Sequence, residues 1–269
     1  MANSPFLNDV VIITGASAGI GRQVALRLAD EGARLALAAR TDERLREVAD
    51  ECRSRGGESL AIATDVTNQD QCRHLIERTV TEYGGIDTLI NNAGITMWAR
   101  FDEIRDLGFL ERIMTVNYFG SVYCTHYALP YLKKSRGRIV GVASLAAKTG
   151  IPTRTGYAAS KHAMTGFFDS LRIELLSSGV SVTMVHPGLV STKIRARALG
   201  ADGQPLGQSP VHELEVMSVD ECARLIVKAA GQRRRELVMT LRGKVGLWIK
   251  MFSPRLVDRI AQKAIEKGR

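Results

Sequence analysis

Cysteine is scarce and scattered in this chain: Cys52, Cys72, Cys124 and Cys222 form no C-x-x-C pair and lie in no histidine-rich spacing. Neither a disulfide framework nor a metal site is expected, and the four read as buried, reduced thiols of a cytoplasmic protein. Long apolar runs are missing too. No stretch approaches the roughly 18 residues of a membrane-spanning helix, and the N-terminus lacks the basic region and apolar stretch of a secretory signal. There is no internal repeat, low-complexity tract or linker before residue 188. These absences leave a globular chain of 269 residues, 45% hydrophobic with mean hydropathy -0.04, long enough for one compact domain with a large core.

What is present is an alternation of two periodicities. Apolar, β-branched runs predict strands over residues 10–13, 34–39, 59–64, 87–91, 138–143, 180–185 and 236–240. Helical spacing fills the gaps. Val24, Ala25, Leu28 and Ala29 mark a first helix that stops near Gly32, and others begin at Thr41-Asp42 or cover 68–83, 107–132, 155–178 and 218–230. Strands and helices in this rhythm imply an α/β fold: a Rossmann-type doubly wound parallel sheet of about seven strands, with helices on both faces and ligands beyond the carboxyl ends of the strands. Residues 1–240 are expected to form the catalytic domain, with 188–218 as a polar, loose substrate loop or lid. Residues 241–269 are then a basic amphipathic helical extension.

Tyr157 and Lys161 lie one helical turn apart, so both project from one helix face, and Ser144 precedes Tyr157 by thirteen positions. A free phenol, with a pKa of about 10, is too weak an acid for work near neutral pH, and a nearby ammonium favours the phenolate. At the other end of the chain, the strand Val10-Val11-Ile12-Ile13 runs into Thr14-Gly15-Ala16-Ser17-Ala18-Gly19-Ile20-Gly21, and a helix follows at once. Strand, glycine-rich turn and helix in that order let backbone N–H groups face a pyrophosphate where side chains would block approach.

Thr14-Gly-x-x-x-Gly19-x-Gly21, Asp65, Asn91-Asn92-Ala93-Gly94, Asn117, Ser144, Tyr157-x-x-x-Lys161 and Pro187-Gly188 stand in one order at compatible spacings over about residues 8–240. In this the sequence resembles the compact single-domain branch of the short-chain dehydrogenase/reductase family. The T-G-x-x-G-x-x-G pattern and larger substrate domain of the longer branch are absent. The resemblance implies that Tyr157 is general acid for ketone reduction and general base for alcohol oxidation, with Ser144 holding the substrate oxygen. Lys161 would bind the nicotinamide ribose and lower the Tyr157 pKa, and Asn117 would kink its helix and hold a water of a proton relay. For the cofactor, the resemblance implies Gly15, Ser17, Gly19, Ile20 and Gly21 at the phosphates, Asp65 at the adenine amino group and the Val66 backbone beside it. It further implies Asn92, Ala93 and Gly94 along the adenine–ribose side, Pro187 and Gly188 beside the nicotinamide and Thr192 at its carboxamide. An N-cap for the next helix is the competing reading of Asp65, and a cap or core amide that of Asn117. A catalytically vestigial NADP-binding sensor or membrane-associated scaffold is the alternative function.

The end of the second strand chooses the cofactor. A carboxylate there would accept from a ribose 2′-hydroxyl and repel a 2′-phosphate; the chain has Ala39 instead, followed by Arg40 and Thr41. NADP(H) is therefore expected, with Ser17 as a further donor and no metal. Ile95, Met97, Trp98, Leu145, Ile151, Pro152 and Leu189, with Lys148 and Arg154 nearby, are expected to make a mostly apolar wall for a lipophilic small-molecule carbonyl or alcohol. From Gln232 onward the chain carries eleven Lys and Arg against three Asp and Glu, so +8 of its net +9 is local. Apolar Val245, Leu247, Trp248, Ile249, Met251 and Phe252, then Leu256, Val257, Ile260, Ala261 and Ala264, share this segment with Lys244, Lys250, Arg255, Arg259 and Lys263. Residues 244–267 therefore suit peripheral contact with a membrane surface, a second subunit or a roof on the substrate pocket. A homodimer or homotetramer is expected. Aromatics lie apart from the basic residues, so no nucleic-acid partner is expected.

Overall fold

The computed structural model describes residues 4–209 and 216–267, with side chains as far as residue 263. Among them are seven strands: β1 Val10–Thr14, β2 Arg34–Ala39, β3 Glu58–Ala63, β4 Thr88–Asn91, β5 Arg138–Val142, β6 Ser181–His186 and β7 Glu236–Val238. All pair in parallel, in the order β3-β2-β1-β4-β5-β6-β7. The order reverses between β1 and β4, where connections leave in opposite directions and a crevice opens beyond the strand ends. Because both faces are covered, the inner strands read as unbroken apolar runs. Alternate side chains feed two cores: Val11, Ile13, Leu35 and Leu37 on one face, Ile12, Ala36, Leu89 and Ile139 on the other. The four cysteines are free and buried.

The first face carries α1 Gly19–Asp30, α2 Asp42–Ser54 and α7 Val219–Gly231; the second carries α3 Gln69–Tyr83, α5 Gly120–Ser135 and α6 Thr155–Glu174, while α4 Gly108–Met114 packs on α6 with Phe109 and Ile113 in a smaller third core. Element positions agree with the sequence periodicity to within about three residues, except that α6 ends at Glu174, short of the expected 178, and that one element departs internally. The single helix expected over 107–132 is interrupted by a π-helical turn at Thr115–Phe119 that contains Asn117. Apolar spacing continues through the turn, so periodicity alone gave no sign of it. Asn117 Oδ1 accepts from Ile95 N at 2.8 Å, and its Nδ2 donates to Ile95 O and to Ser160 Oγ, each at 2.9 Å. Such a fully bonded, buried amide can hold a local widening of the helix that costs backbone hydrogen bonds.

The segment after β6 is less loose than its polar composition suggested. Ala198, Leu199 and Gly200 are buried, and Leu199 bridges Met97 while its N–H donates to Thr96 O at 2.9 Å. Part of the expected 188–218 loop, residues 210–215, lies outside the described residues. The chain ends in α8 Leu241–Phe252 and α9 Pro254–Lys267. Gly243 lets α8 lie against Leu145, where a Cβ would come within 2.8 Å of that side chain. Leu241, Val245, Trp248, Met251 and Phe252 of α8 and Leu256 and Ile260 of α9 are exposed. The side chain of Ala264 lies outside the described residues.

Candidate active site

A cavity of about 1270 Å³ runs along the carboxyl ends of the strands. Its floor begins with the glycine turn. Gly15 and Gly19 have φ of +67° and +57°, which disfavour any side chain. Gly21 meets a different demand, since a Cβ there would lie 2.4 Å from Gly15 O and 2.5 Å from Asn92 Nδ2. The turn is tied to β4 by Thr14, whose Oγ1 accepts from Asn92 N and Ala93 N, both at 3.0 Å, while Asn92 Nδ2 donates to Thr14 O at 2.9 Å. Gly15, Ser17, Gly19, Ile20, Asn92, Ala93 and Gly94 line the cavity; Gly21 supports it from below. Gly94 fits closely against Asn117: a Cβ there would sit 3.1 Å from Asn117 Oδ1.

At the β2 end, Ala39, Arg40 and Thr41 line the cavity, and so does Arg44, one helical turn further on. Thr41 precedes α2 but its hydroxyl makes no capping bond. Sequence reading missed Arg44, although the Arg40–Arg44 spacing of four could have revealed it. Asp65 and Val66 also line the cavity. Asp65 Oδ1 accepts from Thr67 N at 3.0 Å and Thr67 Oγ1 at 2.8 Å, whereas the cap of α3 is Asn68, whose Oδ1 accepts from Gln71 N at 3.1 Å. The N-cap reading of Asp65 is therefore set aside.

Ser144, just past the end of β5, lies near enough to Tyr157 for its hydroxyl to act on the phenol. Both line the cavity with Lys161, Pro187, Gly188 and Thr192. Burial pushes the Tyr157 phenol above its ordinary pKa, while the Ser144 hydroxyl and the Arg154 charge pull it down. Lys161 is buried beside the end of β5. Its Nζ donates to Val142 O at 2.9 Å, and burial lowers its pKa from 10.5 to about 8. The folded protein thus releases this proton near pH 8 and the unfolded chain near 10.5, so in that window the unfolded state holds more protons and stability from this group rises with pH. Removing the buried cation relieves a penalty on the order of 3 kcal/mol. Lys161→Met should therefore melt higher than the parent at pH 7 without cofactor, with the gap narrowing toward pH 10; an unchanged or lower melting temperature at pH 7 would refute this.

The substrate wall differs from the apolar one expected. Ile95, Leu189 and Arg154 line the cavity, but Met97, Trp98, Leu145, Ile151, Pro152 and Lys148 do not. Met97 is fully buried against Leu199, and Lys148 pairs with Glu236 at 2.5 Å, facing away from the cavity. In their place stand Arg112, Lys193, Arg195 and Arg197. Arg112 is brought in by Gly203, whose carbonyl it reaches at 3.3 Å across 91 positions, a contact no local pattern reveals. His186, also unforeseen, is buried behind the site, with Nδ1 3.1 Å from Ser144 O and Nε2 2.8 Å from Glu236. Burial holds its pKa below the ordinary value. Among the described residues no group of three or more His, Cys, Asp and Glu side chains could hold a metal ion.

A parallel sheet with its switch point under a glycine turn, and a phenol and hydroxyl facing that turn across one cavity, belongs to the dinucleotide-dependent oxidoreductases. The family can be named as well. The chain is a member of the short chain dehydrogenase family, whose model matches residues 9–201, and it acts as an oxidoreductase on CH–OH or C=O groups of a small-molecule substrate. It is 36% identical over 256 residues to 11-beta-hydroxysteroid dehydrogenase 1A of Arabidopsis thaliana, covering 93% of this chain and 73% of the relative. To a dehydrogenase/reductase SDR family protein 7-like of Dictyostelium discoideum it is 34% identical over 266 residues, covering 97% and 83%. An alcohol dehydrogenase from the archaeon Thermococcus sibiricus, solved in complex with 5-hydroxy-NADP, superposes with a TM-score of 0.75 at 28% identity, covering 86% of this chain and 95% of the other.

Proposed function

We propose that the protein interconverts a ketone or aldehyde and an alcohol with NADP(H), using Tyr157 as general acid and base. The observation that carries this reading is that Ser144, Tyr157 and Lys161 line the same cavity as Arg40, Thr41 and Arg44. The cavity suits the cofactor: its volume, bare glycine backbone and paired guanidiniums at a β2 end without a carboxylate all match a phosphorylated dinucleotide. Bound there, the reduced nicotinamide supplies a hydride to the carbonyl carbon. Ser144 Oγ donates a hydrogen bond to the carbonyl oxygen, and Tyr157 gives that oxygen its phenolic proton as negative charge develops on it. Lys161 would bind the ribose hydroxyls and Thr192, across from Gly19, the carboxamide. Asn117 holds the Ile95 backbone in place.

Arg40 and Arg44 select the cofactor. A charge-assisted bond contributes about 1.5–3 kcal/mol, so Arg40→Ala should raise the KM for NADPH about 10- to 100-fold and leave that for NADH nearly unchanged. Initial rates with the two cofactors check this, and equal losses for both would refute it. Ile95, Leu189, Ile194 and Leu199 on the wall, together with relatives named for hydroxysteroids, support a substrate with an apolar body. We propose that residues 1–240 form the catalytic unit of a homodimer or homotetramer. The exposed apolar and basic faces of α8 and α9 would rest on an anionic membrane surface, although no described helix is long and apolar enough to cross one. Vesicles with anionic lipid should pellet the full chain and not a truncation after Thr240; equal pelleting removes the membrane contact.

A further inference from the structure

Ser144 sits on backbone that β6 holds from both edges. It is fully extended, with φ of -169° and ψ of 162°, and it opens a short helical turn, Leu145–Ala147. In the peptide unit that joins Ser144 to Leu145, the N–H of Leu145 donates to Pro187 O at 3.0 Å and the carbonyl of Ser144 lies 3.1 Å from His186 Nδ1. A carbonyl only accepts, so the ring proton of His186 belongs on Nδ1. Ser144 Oγ itself accepts from Ala146 N at 3.2 Å, which leaves its hydrogen to donate elsewhere.

His186 is completely buried, yet the hydride and proton steps make no use of it and it does not line the cavity. Two charged groups set its ring. Glu236 Oε1, on the edge strand β7, lies 2.8 Å from Nε2, and Lys148 Nζ pairs with that same oxygen at 2.5 Å. Nε2 finds no hydrogen-bond partner among the described residues, so the Glu236 contact is one of charge and the directed bond is the one to Ser144. Burial outweighs the Ser144 carbonyl and the Glu236 and Asp169 carboxylates, and with the Lys148 ammonium it keeps the ring neutral near pH 7. Lys148 follows Ser144 by four positions, so the contacts leave the serine through His186 and Glu236 and return to the same turn. The far end of that turn is held separately. Lys148 O accepts from Lys250 Nζ of α8 at 2.7 Å, and loss of His186 therefore loosens the serine end alone.

We propose that His186 is a positioning residue for the reaction: its Nδ1–H, with the ring set by Glu236 and Lys148, fixes the Ser144–Leu145 peptide and so aims the Ser144 hydroxyl at Tyr157 and the substrate oxygen. This rests on the role of Ser144 proposed above. A shift of about 1 Å in a reacting group costs about 10²-fold in rate, so a side chain behind the site governs turnover without touching substrate.

Asparagine and glutamine separate this role from packing. His186→Asn keeps an N–H donor near the place of Nδ1, whereas the longer side chain of His186→Gln carries its amide toward the place of Nε2. With tyrosines isotopically labelled at Cζ in the full chain and NADP+ bound, the NMR resonance of Tyr157, assigned by its loss in Tyr157→Phe, reports on the neighbouring hydroxyl without a substrate. Ser144→Ala should move that resonance, His186→Gln should move it in the same direction, and His186→Asn should leave it near the parent value. Ser144→Ala combined with His186→Gln should match Ser144→Ala alone, since both act through one hydroxyl. On any ketone that the parent reduces, His186→Gln should lower kcat about 10- to 100-fold at unchanged KM for NADPH, with most of it recovered in His186→Asn. A parent-like resonance in His186→Gln, an equal shift in His186→Asn, or a shift that adds to that of Ser144→Ala would overturn the proposal. If His186→Gln fails to fold, Glu236→Gln, at an exposed position of the edge strand, decides instead: it should move the resonance in the same direction, and no movement would overturn the role. No movement in Ser144→Ala would strike the serine's part in the reaction and its positioning together. A panel in which no ketone is reduced would strike the oxidoreductase reading, while the resonance would still decide the part of His186.

Discussion

Tyr157→Phe is expected to lower kcat/KM for carbonyl reduction about 10²- to 10⁴-fold, the usual share of a positioned proton donor. The change removes one oxygen from a ring that is 9% exposed, so packing is preserved and the fold should not suffer. The loss should fall on kcat, because the proton reaches the oxygen only as charge develops there. NADPH affinity, read by fluorescence, should change little, since the phenol is not among the groups facing the phosphates. A variant that keeps its turnover would remove Tyr157 from the reaction. A variant that loses cofactor affinity along with turnover would make its role structural.

Gly21→Ala is expected to damage both stability and cofactor binding, through a single methyl group. Its carbon would fall 2.4 Å from Gly15 O and 2.5 Å from Asn92 Nδ2, and neither can retreat cheaply, because Asn92 is bonded to Thr14 O and Gly15 O. Overpacking of this kind costs about 1–3 kcal/mol. For a domain of this size that is about 2–12 °C in melting temperature. The displaced glycine turn should also raise the Kd for NADPH at least ten-fold. Gly246→Ala is the contrast: no atom lies within 4 Å of its Cβ position, and alanine is the better helix former, so stability should hold or rise slightly. Equal melting temperatures for the two variants would refute the packing argument.

How far the molecule could be read from its sequence follows from the range of each interaction. The seven strands were legible because a sheet covered on both faces makes each strand a run of apolar residues, as in Val10–Thr14 and Arg34–Ala39. The glycine turn, Ser144, Tyr157 and Lys161 were legible because their chemistry depends on spacing along one or two elements. The π turn at Asn117 left no mark in the periodicity, since it is held by Ile95 and Ser160, 22 and 43 positions away; only the family resemblance implied a kink there. The substrate wall was misjudged for the same reason. Met97 and Leu145 have the right type of side chain and sit next to motif residues, but tertiary packing turns Met97 into a bridge with Leu199 and Leu145 toward α8. Lys161 shows a third limit. Its spacing from Tyr157 placed it on the same helix face, but its bond to Val142 O, 19 positions away, is invisible to local spacing.

The central claim is hydride delivery to a carbonyl in the cavity between the glycine turn and Tyr157. Its most direct test is turnover of a ketone and aldehyde panel with NADPH deuterated at C4, with products analysed by mass spectrometry. The account predicts alcohol products bearing deuterium at the carbinol carbon, formed by the parent protein and nearly lost in Tyr157→Phe. Tight NADPH binding with no deuterium in any product would contradict it.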